Sequence, residues 1–111
     1  MAEIPEETRK MIGQFQSYQQ QLQTILIQKE SMKLQMMEIE RALKELETTK
    51  QKTAYKITGQ IMISKPIAEL KKELKETKEN IDIRVKSLEK SETRISDKFK
   101  DLQTKLKEVI K

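Results

Sequence analysis

The chain has 111 residues, of which 37% are charged, 35% hydrophobic and 4% aromatic, and it carries a formal net charge of +5. One domain fits that length, but the apolar content is too low for a thick globular core and suits an elongated structure that buries a narrow seam. Cysteine, histidine and tryptophan are absent, which excludes disulfides, thiolate metal sites, Cys nucleophiles, histidine-dependent triads and HExxH zinc sites.

Only four residues, Pro5, Gly13, Gly59 and Pro66, punctuate the chain, so the long stretches between them read as helix. Pro5 suits a first helical turn, and Glu6 and Glu7 complement the positive end of the helix dipole. A first helix is predicted from about residue 6 to about 50. One row of positions seven apart holds Phe15, Leu22, Lys29, Met36 and Leu43; the other holds Met11, Tyr18, Ile25, Met32, Ile39 and Leu46. The spacing alternates between four and three residues and only Lys29 breaks the apolar pattern. That period of 3.5 is the signature of a coiled coil.

The connector differs in kind. In Ala54-Tyr55-Lys56-Ile57-Thr58-Gly59-Gln60-Ile61-Met62-Ile63-Ser64, apolar residues alternate at 55, 57, 61 and 63 around Gly59. Period two with β-branched and aromatic residues predicts a β-hairpin over about residues 53–64. A three-residue turn at 58–60 would gather Tyr55, Ile57, Ile61 and Ile63 on one face. A two-residue turn would split them between faces, and the sequence leaves both open.

A second helix is predicted over about residues 66–110, with Pro66 in its first turn. Ile67, Leu74, Ile81, Leu88, Ile95, Leu102 and Val109 lie seven apart without a break, while the companion row of Val85, Glu92, Phe99 and Leu106 is weaker and Leu70 enters from a neighbouring position. Two helices of about 45 residues would each span about 65–70 Å. Equal lengths and a short connection make them antiparallel neighbours. The expected fold class is therefore α-dominated: a long antiparallel two-helix coiled coil with one central β-hairpin, as a single domain over residues 1–111. Folding about residue 58 sets Phe15 near Leu102 and Lys29 near Val85 and Leu88, where a lysine buries its stem and keeps its charge in water.

A lone two-stranded hairpin is marginal in water and has two unpaired edges. Four large apolar side chains on it, each contributing about 1.5–3 kcal/mol when fully buried, favour burial against another subunit over a hairpin that lies back on its own coil. Off the seam, Ile4, Ile12, Leu26, Ile27, Met37, Ile83 and Ile110 are apolar. Several of these gather where the chain ends meet, with Ile4, Met11, Ile12 and Phe15 on one side and Phe99, Leu102, Leu106, Val109 and Ile110 on the other. Part of this group closes the seam. The functional reading is an adaptable apolar tip that holds exposed hydrophobic surface of another protein.

No GxxxxGK[ST] loop occurs and both glycines are isolated, so nucleotide binding is not expected, nor is any cofactor or enzymatic activity. The opening residues lack the apolar core of a signal peptide. No apolar run approaches the roughly 20 residues of a membrane span. A cytoplasmic protein is expected.

The Gln-rich start Gly13-Gln14-Phe15-Gln16-Ser17-Tyr18-Gln19-Gln20-Gln21-Leu22, the hairpin Tyr55-Lys56-Ile57-Thr58-Gly59-Gln60-Ile61-Met62-Ile63 and the second long helix together resemble the β subunits of prefoldin, most closely the archaeal kind. The single hairpin fits the β type, because α subunits carry two. The resemblance implies a hexamer of two α and four β subunits whose hairpins join into a double β-barrel platform. It implies coiled-coil tips that capture unfolded proteins and pass them to a group II chaperonin without ATP. By position, Tyr55, Ile57, Gly59, Ile61 and Ile63 would build the platform, and the apolar groups at the two termini would hold clients. Two other readings are weighed against it. A basic helical hairpin that binds nucleic acid is disfavoured by evenly mixed charges and few aromatics for base stacking. A structural tether would need no sheet.

Overall fold

A computed structural model describes residues 4–110, without the side chain of Ile110. Four elements follow one another: α1 (Glu6–Thr48), β1 (Thr53–Thr58), β2 (Ile61–Pro66) and α2 (Ile67–Ile110). Two long helices thus flank one antiparallel hairpin, as the heptads and the alternating connector predict. α1 stops two residues earlier than expected. Pro5 precedes it, its carbonyl accepting the first helical bond from the Arg9 N–H (3.1 Å). Pro66 likewise lies outside its helix and ends β2, where a missing N–H at a strand terminus costs little.

The helix stripe withdrawn from water is the heptad stripe. On α1, Met11, Phe15, Tyr18, Leu22, Ile25, Lys29, Met32, Met36, Ile39, Leu43 and Leu46 are buried or half-buried, and Thr8 extends the same spacing towards the start. On α2 the buried apolar residues are Ile67, Leu70, Ile81, Val85, Leu102 and Leu106. No side chain among the described residues is completely enclosed. That is the expected result for a two-helix seam, which leaves every core residue one open flank.

The fold divides into two compact units. One joins the residues up to Glu30 with those from Lys86 onward. Here the rings of Phe15 and Phe99 stack at 4.5 Å between centroids. Lys29 donates to a Glu92 oxygen at 3.0 Å, the pair being 14% and 32% exposed. The sequence suggests a lysine charge kept in water; here it meets a carboxylate. The polar interruptions of the two heptad rows thus meet. The other unit is Ser31–Val85, with both strands and an ion pair between Lys78 and Glu40 at 3.2 Å.

Candidate functional site

The hairpin is built by strict pairing. Thr53 faces Pro66, Ala54 Lys65, Tyr55 Ser64, Lys56 Ile63, Ile57 Met62 and Thr58 Ile61. One further bond, from the Ile67 N–H to the Lys52 carbonyl at 2.9 Å, closes its base. The turn is therefore the two residues Gly59 and Gln60. Gly59 has φ +61°, and among the described residues no non-glycine has positive φ. A type I′ turn needs positive φ at both positions, whereas type II′ needs it only at the first, with glycine there. The chain uses the second solution.

This register settles how the apolar side chains are shared. Residues opposite one another lie on the same face. Tyr55, Ile57 and Met62 therefore occupy one face; Ala54, Ile61 and Ile63 occupy the other. The first three are 69%, 71% and 63% exposed. Ile61 is similarly open, and Ile63 less so. Met62 was missed in the sequence because it falls out of step with the alternation; only the turn length reveals that it joins Tyr55 and Ile57. A hairpin apolar on both faces, with both edges unpaired among the described residues, offers surface for covering from more than one side.

One face is tied to α2. The Lys56 ammonium lies 3.2 Å from one Glu73 oxygen and that of Lys65 lies 2.7 Å from the other. Glu69 lies 3.8 Å from Lys65. The hydrogen bond from Lys65, and then that from Lys56, holds the Glu73 carboxyl below the usual glutamate range. The hydrogen bond to Glu73 raises the Lys65 ammonium against the opposing effect of burial.

The terminal group expected as an apolar tip is less free than the hairpin. Leu102 and Leu106 are buried, and Met11, Ile12, Phe15 and Phe99 are half-buried. Ile4 and Val109 are about half exposed, at 50% and 52%. Val109 thus stands off the seam although its heptad row predicts it inside. Ile110 lies outside the described side chains. Leu26 and Ile27 are also open on the same unit, and Leu26 lines a shallow groove with Leu22, Thr93 and Ser96.

Among the described residues no group of three or more acidic side chains is placed to hold a metal, and no helix is long and apolar enough to cross a membrane. The prefoldin subunit family matches residues 9–111. The prefoldin subunit beta of Thermococcus onnurineus is 34% identical over 112 residues, covering 100% of this chain and 97% of that protein. That of Methanothrix thermoacetophila is 36% identical over 107 residues, covering 96% and 89%. The crystal structure of the prefoldin beta subunit from Thermococcus strain KS-1 superposes with a TM-score of 0.82 at 33% identity, covering 98% of this chain and 96% of that one. Matched in sequence and in fold along nearly its whole length, the chain belongs to the prefoldin subunit family as an archaeal-type β subunit, a component of a molecular chaperone and not an enzyme.

Proposed function

We propose that this chain acts as one prefoldin-like domain over residues 1–111, within a hexamer of two α and four β subunits that holds unfolded proteins without ATP and hands them to a group II chaperonin. The observation that carries the assembly reading is the hairpin, on which Tyr55, Ile57, Ile61 and Met62 stand open on both faces and whose strands pair only with each other among the described residues. Tyr55, Ile57, Ile61 and Ile63, with Met62 added, would be covered by sister hairpins. Gly59 would keep the turn tight enough for the strands to enter a shared barrel. Clients would meet Ile4 and Val109 first. Met11, Ile12, Phe15, Phe99, Leu102 and Leu106 would follow where the seam opens, since they are partly or wholly committed to it. No nucleic acid, membrane or cofactor enters this cycle, which is placed in the cytoplasm.

The test is aggregation of a chemically unfolded client protein, followed by light scattering with no nucleotide present. The chain mixed with an archaeal prefoldin α subunit is expected to suppress aggregation at near-stoichiometric ratio. The double variant Ile4→Ser/Val109→Ser should weaken suppression severalfold with its helix content unchanged. Full suppression by that variant would remove these two residues from the client surface, and no suppression by the unaltered mixture would refute the chaperone cycle.

A further inference from the structure

The joint between the hairpin and α2 contains no linker: β2 ends at Pro66 and α2 begins at Ile67. On the other side, residues 49–52 separate α1 from β1. A hairpin hung this way keeps its base fixed through the bond between Ile67 and Lys52, but a bond at the base does not by itself set the tilt of the strands. Lys56 and Lys65 supply that restraint. They come from different strands but from the same face of the hairpin, and each takes one oxygen of a single carboxylate, Glu73, at 3.2 and 2.7 Å. Glu73 lies two turns into α2, so the hairpin is tethered beyond its base.

We propose that Glu73 is a clamp that sets the tilt of the hairpin on α2 and so decides which of its apolar faces is offered to neighbouring subunits. The face that carries Lys56 and Lys65 also carries Ala54, Ile61 and Ile63. Ala54 and Lys65 are half-buried, and Ile63 is the least exposed large apolar residue of the hairpin at 42%. The opposite face, with Tyr55, Ile57 and Met62, is more open on the whole, although Ile61 next to the turn on the clamped face is as exposed as Met62. The clamp thus makes two chemically similar faces inequivalent. A lone surface ion pair contributes little to stability. A clamp of this kind does not need to stabilise the fold; it needs only to favour one angle of a joint, and two lysines converging on one carboxylate do so from both strands. Glu73 is a positioning residue, and its consequence for assembly rests on the hexamer reading above.

The chain lacks cysteine, so a spin-label pair can be placed at will. With Gln60→Cys at the turn and Asn80→Cys on α2, electron–electron resonance on the lone subunit reads the tilt directly. The unaltered Glu73 background is expected to give one narrow distance distribution. Glu73→Ala should broaden it at least twofold, and so should Lys56→Met/Lys65→Met, made as an independent route to the same loss. Glu73→Asp, which keeps the charge within reach of two flexible lysines, should restore the narrow distribution. Unchanged width in both clamp-free variants, or no restoration by aspartate, would overturn the proposal. In a second arm, mixing with an α subunit should give several-fold weaker and more heterogeneous assembly for Glu73→Ala. Assembly indistinguishable from that of the unaltered chain would overturn the consequence for neighbouring subunits. If the unaltered chain itself fails to assemble, the hexamer reading falls, while the distance measurement still decides whether Glu73 is a clamp.

Discussion

Lys29 and Glu92 show how a single side chain can be misread even when its position is read correctly. Both interrupt heptad rows, and both interruptions are visible in the sequence. What folding the sequence about residue 58 does not show is that they interrupt the same stretch of seam and pair with each other. The pair is closer to a buried than to a surface bridge on the lysine side, at 14% exposure. Removing one member leaves the other charge in the seam without a partner, whereas replacing both by apolar residues is often neutral or better. Lys29→Ala is therefore expected to destabilise by about 1–2 kcal/mol in urea unfolding, and Lys29→Leu/Glu92→Leu to be at least as stable as the natural chain. A double variant clearly less stable than the natural chain would contradict this. The glycines separate in the same assay. Gly13 sits inside α1 with open space where a Cβ would go, so Gly13→Ala should stabilise by about 0.5–1 kcal/mol. Gly59 also has open space, but its φ of +61° is unfavourable for a side chain, so Gly59→Ala should cost about 1–2 kcal/mol.

At the scale of the element, the helices were legible because their burial is periodic: every apolar member of both α1 rows is withdrawn from water where the heptad puts it. The hairpin was legible as a hairpin but not as a surface. Its face assignment depends on whether the turn holds two residues or three, and Gly59 is compatible with both until its neighbours' pairing is known. The tip was the least legible element. Val109 continues a perfect row yet is exposed. Thr8, a polar residue no apolar pattern selects, is buried near the start of α1. The clamp carries a pH dependence of its own. Glu73 has a lowered pKa, so its contribution is present at neutral pH and is lost as pH falls through that lowered value, below the usual glutamate pKa of about 4.3. Lys65 has a raised pKa, so its contribution is present below the usual lysine value of about 10.4 and is lost as pH rises through the raised one. The groups facing Glu73 are Lys56 and Lys65, with Glu69 beside Lys65. The hairpin tilt should therefore hold constant between about pH 5 and pH 10, and loosen outside that window in the spin-label measurement. A steady drift across neutral pH would contradict it.

At the scale of the whole molecule, the chain makes sense only as part of something larger. Its seam is sufficient to pair two helices within each unit. Its most open apolar residues, by contrast, sit on a small sheet that cannot bury them. Covering both faces and both edges of that sheet requires other chains, and the family to which the protein belongs consists of assembling subunits. The division of labour we propose follows from that difference: the hairpin, rich in exposed apolar surface, would serve assembly, and the ends of the helices, mostly engaged with one another, would serve capture on opening. The direct measurement is solution mass by light scattering, alone and after mixing with an archaeal prefoldin α subunit. The account predicts one sharp species containing four copies of this 13.1 kDa chain and two of the partner. A 13.1 kDa monomer under both conditions would contradict it.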